Sequence, residues 1–113
     1  MNKRLGAAIV ALTLLVVPMA AHAYYNANIQ GKIDAIRVYD TGAVLLHLDV
    51  QPSTHPMCNP GYFAVDAALD ASIRAELLSR ALVAKSSGET INIGYDNQAN
   101  CANGWIRIHE IGW

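Results

Sequence analysis

Only one stretch of this chain carries a helical repeat, and its place among strand-like runs restricts the fold more than any other feature. In "DASIRAELLSRALVAKSSGE", residues 70–89, Ile73, Leu77, Leu78, Ala81 and Leu82 recur at three-to-four spacing. That spacing predicts a helix with a single apolar stripe. Asp70 or Ser72 is placed to cap its start, Glu76 and Arg80 sit four apart on the polar side, and Gly88 suits a left-handed stop.

Around the helix the pattern has period two. In 27–40, Ile29, Gly31, Ile33 and Ala35 share one face, whereas Ile36 and Val38 fall on the other. A one-residue phase slip predicts a bulge or sharp bend, so that one strand serves two sheets in turn. Thr41-Gly42 reads as a tight turn. In 43–50, Val44, Leu46, Leu48 and Val50 face in, and Leu45, His47 and Asp49 face out. Residues 51–61 hold three prolines and a glycine, which makes them a loop. A short strand over 62–65 precedes the helix. Two strands follow it, 90–95 with Ile91, Ile93 and Tyr95 inward and 105–111 with Ile106 and Ile108 inward.

Five strands with one helix between the third and fourth is the element order of the OB-fold, a small five-stranded Greek-key barrel. The fold class expected is therefore mainly β with one helix (α+β), the helix closing one end of the barrel. An open α+β sheet with the helix across one face competes with it. The slip in the first strand favours the barrel.

The beginning of the chain bears on compartment. Lys3 and Arg4 precede the apolar run "LGAAIVALTLLVVPMA", and Ala21-His22-Ala23 supplies a small-x-small cleavage site. This is the layout of a secretory signal peptide over 1–23. The run is too short, and broken by Pro18, for a membrane anchor of about 20 residues. The expectation is a secreted or periplasmic protein with one domain, 24–113, and no membrane span after signal removal.

That domain keeps six basic residues against nine acidic ones once Lys3 and Arg4 are set aside, a net charge near −3. It has no basic cluster, so nucleic acid is not an expected partner. Cys58 and Cys101 are its only cysteines. An even count in a small exported domain predicts a disulfide. A metal site would need three or four ligands and a nucleophilic thiol a nearby base, for which His55 is in sequence reach. The disulfide leads these readings, and no cofactor or metal is expected.

No nucleophile elbow, phosphate loop, zinc motif or suggestive carboxylate pair occurs, so enzymatic activity is not expected. His47 and His109 both point outward by alternation. They would make a metal or acid–base pair if their strands were close, and otherwise are solvated strand residues. The candidate ligand-binding set is Asn97, Gln98, Asn100, Asn103, Trp105 and Arg107. Amides pair with neutral polar ligands, and an outward tryptophan stacks on sugar faces. Turn chemistry for the asparagines, and a rim or oligomer contact for Trp105, are the structural alternatives.

The cysteine pair, the leader, the short domain and the element order resemble the B subunits of bacterial AB5 toxins, and small exported OB-fold proteins of Gram-negative bacteria generally. The block "LLSRALVAKSSGETINIGYD" looks most family-like, and the resemblance spans 27–111. It implies a glycan-binding subunit of a pentameric ring. No position of this chain matches a family sugar-binding residue. The function expected is an exported, non-enzymatic binding module for glycan or a protein ligand. The alternative is an inhibitor or accessory partner of an exported enzyme.

Overall fold

A computed structural model describes residues 25–113; the expected signal peptide, 1–23, lies outside the described residues. The elements in chain order are β1 (Ala27–Gly31), β2 (Ile33–Val38), β3 (Val44–Leu48), β4 (Asn59–Val65), α1 (Ala71–Ser87), β5 (Ile91–Tyr95), β6 (Cys101–Ala102), β7 (Trp105–Arg107) and β8 (Glu110–Gly112). They form a three-stranded sheet, β1-β5-β8, and a five-stranded sheet, β2-β3-β4-β7-β6. The fold is mainly β with one helix.

The first strand passes from one sheet to the other, as its phase slip predicts. Lys32 separates β1 from β2, and Asp34 is an extra residue between the Ile33–Leu48 and Ala35–His47 pairs. The bulge lets both Ile33 and Ile36 reach the core, which strict alternation would forbid. Gly31 sits at the crossing, where an added Cβ would lie 2.6 Å from Val50 Cγ2 and 2.7 Å from Asp49 Oδ1. The last strand divides in the same way, β7 in one sheet and β8 in the other, with Ile106, Ile108 and Ile111 all buried.

Most strand pairs are antiparallel, but β4 and β7 run parallel. A parallel pair needs a long crossover, and residues 66–104, including α1 and β5, supply it. Fully buried Leu46, Leu48, Phe63, Val65, Ile91, Ile93, Ile106 and Ile108 fill the core. Each such side chain contributes about 1.5–3 kcal/mol by leaving water. The helix adds mainly Ala81 and Ala84, with Leu77 and Leu78 partly covered.

Three expected inward positions, Val50, Ile73 and Leu82, are corrected. Val50 is 46% exposed because β3 ends at Leu48, where Gln51 Oε1 accepts the Leu48 N–H at 3.0 Å and the chain turns. Val38, at the far end of β2, is 63% exposed. Ile73 and Leu82 are exposed because the helix turns its alanines to the sheets, which rotates the buried arc from the predicted stripe. At the helix ends, Asp70 precedes the first turn without a side-chain cap, and Gly88 ends the last with φ 72°, its N–H donating to the Ala84 carbonyl.

Cys58 and Cys101 form a disulfide, with Cα atoms 5.5 Å apart. It joins the loop after β3 to β6, whose first residue is Cys101, so that cysteine stands in a short strand and not in the loop expected of it. Among the described residues, no helix is long and apolar enough to cross a membrane.

Candidate binding cleft

The outer face of the five-stranded sheet carries a second, smaller apolar cluster. Leu45, expected to face out, does so, yet it is buried with Ala64 and Ala102 under Tyr62 and Trp105. Register explains this, since Leu45 pairs with Ala64, and Ala102 with Trp105. The alanines leave room for the aromatic rings to lie over them.

Trp105 is held by its neighbours. Its ring meets Tyr62 edge-on at 5.4 Å and 90°, and Tyr62 meets His47 at 5.6 Å and 70°. Such edge-to-face pairs contribute about 0.5–1.5 kcal/mol beyond area burial. Arg37 Nε donates to the Tyr62 hydroxyl at 3.0 Å, and His47 Nδ1 lies 2.7 Å from Asp34 Oδ1. The row is a fixed aromatic and polar array.

Beside it lies a cleft of about 240 Å³, with Leu45, Ala64 and Val65 among its lining and Tyr39, Thr41, Asn103 and Trp105 offering rings and polar groups. Two turns supply these groups. The β2–β3 turn is closed by Gly42 N–H to the Tyr39 carbonyl (3.0 Å) and Tyr39 N–H to the Ala43 carbonyl (2.9 Å), with Gly42 at φ 92°. The β6–β7 hairpin turns on Asn103 and Gly104, whose φ values are 54° and 88°. A two-residue Asn-Gly turn with both φ positive matches the twist of its strands.

Asn103 and Trp105 are therefore brought together at one cleft. Asn97, Gln98, Asn100 and Arg107 do not line it. Asp96 organises the first three. Its Oδ1 accepts the backbone N–H groups of Gln98 (2.8 Å) and Ala99 (3.1 Å), and its Oδ2 accepts the Asn100 side-chain amide (2.8 Å). Asn97 N–H donates to Asn26 Oδ1 at 2.9 Å, and Gln98 Nε2 to Asn97 Oδ1 at 3.3 Å. The Gln98 N–H, foremost among these donors, holds the Asp96 carboxyl below the usual carboxylate range. These amides follow turn chemistry. Arg107 lies 3.7 Å from Asp66, so a carboxylate already faces its charge.

His55 is a brace. Its Nδ1 accepts the N–H groups of Met57 (3.1 Å) and Cys58 (2.8 Å), and its Nε2 donates to the Asp96 carbonyl at 2.9 Å. Only a neutral imidazole with its proton on Nε2 makes all three bonds. It ties the loop that carries Cys58 to the turn that leads into Cys101, alongside the disulfide. His109 is parted from Trp105 and Arg107 by the break between β7 and β8, and its ring lies 5.9 Å from that of Tyr25. Burial, reinforced by Arg107, pushes His109 below its ordinary 6.5, with Asp96 pulling weakly the other way. His47 and His109 thus have separate surroundings. Among the described residues, no three His, Cys, Asp or Glu side chains are grouped to hold a metal.

Sequence reasoning missed Tyr39, Thr41, Leu45 and Tyr62 as cleft neighbours, because only the sheet register brings them to Trp105. The hairpin had a usable signal in Asn103-Gly104, the strongest short-range hairpin dipeptide. The chain has no match to a family model, a curated protein or a solved structure.

Proposed function

We propose that this protein is an exported, non-enzymatic binding module with an OB-like barrel, taking a neutral glycan or similar surface ligand in the cleft beside Trp105. The observation that carries the reading is the meeting of Tyr39, Thr41, Asn103 and Trp105 around a small cleft with an apolar floor. Aromatic faces stack on sugar rings, while hydroxyl and amide groups match sugar hydroxyls. A cleft of about 240 Å³ suits one terminal ring better than an extended chain.

The barrel reading is supported by strand order. Pairings run from β2 to β3, β4 and β7, and from β8 to β5 and β1. Because β1/β2 and β7/β8 are single runs shared by both sheets, this order supports a five-stranded Greek-key barrel. Export is supported by the disulfide, which persists in oxidising compartments, and by the leader-like residues 1–23. Likeness to toxin B subunits, and with it a pentameric ring, is proposed from this layout alone. Ile73, Val83 and Trp113, exposed beside a groove between α1 and β8, supply apolar surface for a subunit contact.

A glycan array on the purified protein tests the reading. Binding that is lost in Trp105→Ala and retained in Trp105→Phe is the expected result. An empty array, unchanged by Trp105→Ala, removes the glycan reading. The second reading, an inhibitor or accessory partner of an exported enzyme, is favoured by Met57. It is 68% exposed on the loop that the disulfide and His55 hold rigid, as a wedge residue would be. Co-purification with a hydrolase that Met57→Ala abolishes would select it.

A further inference from the structure

Of the asparagines in this chain, only Asn103 is followed by glycine. The two residues form the tip of the β6–β7 hairpin, both exposed, and Asn103 lines the cleft. The β6–β7 pairs are Cys101–Ile106 and Ala102–Trp105, which leaves the Gly104 N–H at the turn, outside the ladder. A Cβ built on Gly104 would meet nothing within 4 Å, so the space beside the Gly104 Cα is open.

We propose that Asn103-Gly104 is a self-modification site at which the neutral rim of the cleft becomes anionic. The Gly104 backbone nitrogen attacks Cγ of Asn103. A new C–N bond closes a five-membered imide, the Cγ–Nδ2 bond breaks, and ammonia leaves with the proton from the Gly104 nitrogen. Water then adds across one of the two imide C–N bonds, giving aspartate or isoaspartate at position 103. No oxidant, metal or enzyme takes part. Glycine is the residue this ring closure needs, because the attacking nitrogen then carries no Cβ-bearing neighbour to crowd the imide.

The other asparagines of the loop differ in the groups that matter. Asn97 precedes Gln98 and Asn100 precedes Cys101, so each has a side chain at the attacking residue. Asn100 also spends its amide on Asp96 Oδ2 at 2.8 Å. They serve as internal controls. Aspartate tolerates left-handed backbone much as asparagine does, so the hairpin survives the simple conversion. Isoaspartate adds a backbone atom to a two-residue turn and shifts Trp105 with it. The consequence for a ligand rests on the cleft being the binding surface; the modification itself does not.

The test is peptide mapping by mass spectrometry of the folded, disulfide-intact protein held in mildly alkaline buffer, with ion-exchange chromatography alongside. Asn103 is expected to convert about tenfold faster than Asn97 or Asn100, a barrier difference of ~1.4 kcal/mol. A species with one more negative charge accumulates in step. Asn103→Gly, which keeps the left-handed turn and removes the amide, abolishes that species. Retention of the Asn103 amide in the folded protein, while the reduced and denatured chain converts under the same conditions, overturns the proposal. Mass and charge are read without any ligand, so an empty glycan array would not be confused with failure here.

Discussion

Replacing both cysteines by alanine should lower the melting temperature of this domain by about 25 °C. The disulfide closes a loop over positions 58–101, which contains β4, α1 and β5. Loop-closure entropy for roughly 44 residues is about 4 kcal/mol at 25 °C. The native state loses less. Cys58 is 5% exposed within the core, so truncation leaves a small void costing about 1 kcal/mol. A domain of about 90 residues gains roughly 0.2 kcal/mol per kelvin in unfolding entropy near its midpoint, which converts the combined loss of about 5 kcal/mol into about 25 °C.

The competing restraint is His55, which orders its own loop through the Met57 and Cys58 N–H groups and crosses to the Asp96 turn through Nε2, three hydrogen bonds in all. At about 1 kcal/mol each they sum to about 3 kcal/mol, less than the covalent tether, and they act only in the folded state. The double variant should therefore still fold, with its loops near their native positions. Its urea m-value should rise, because the untethered unfolded chain exposes more surface. Thermal and urea unfolding followed by circular dichroism measure both quantities. A fall of less than about 5 °C with an unchanged m-value would refute the reasoning, since it would mean that the tether leaves the unfolded ensemble as it was.

Three further outcomes are expected. Gly31→Ala drives a Cβ against Asp49 Oδ1, which accepts the Lys32 N–H at 2.9 Å, and should cost about 1–3 kcal/mol in urea titration. His55→Ala should cost about 2 kcal/mol, and hydrogen exchange should show the Cys58 amide losing protection. His109 has a depressed folded pKa, so the unfolded chain binds its proton more readily. Stability is fully present above the ordinary 6.5 and falls as pH drops from there through the lower folded value, where the loss levels off. His109→Gln should flatten that part of the pH–stability profile, whereas loss through Asp96 begins only near and below 3.8.

What could be read from the sequence was local. Period two located the main strands, the single helical repeat ended at Gly88, and an even cysteine count beside a leader-like start predicted the bridge. The slip at Ile33–Ile36 forecast a strand shared between sheets because one residue of phase is visible within a dozen positions. Pairing was another matter. The parallel β4–β7 contact joins segments some forty residues apart, and nothing in either segment names the other. The helix stripe was misjudged because hydrophobicity favours leucine and isoleucine, while close packing on the sheets selects the small Ala81 and Ala84.

The amide-rich loop shows why composition alone misplaces a site. An asparagine offers the same donors and acceptor to a ligand as to its own backbone, and Asp96 decides which. Its two oxygens take up the turn from Gln98 to Asn100, and Asn26 and His55 fasten that turn from either side. Past the disulfide, Asn103 is set apart by the hairpin and faces Trp105 and the Tyr39–Gly42 turn across the cleft. A ligand held there would meet groups from two turns whose positions are set by separate restraints, one by the β2–β3 register and one by the staple. Substitutions in the 96–100 turn should therefore change stability before they change binding, and those at Thr41 or Asn103 should do the reverse.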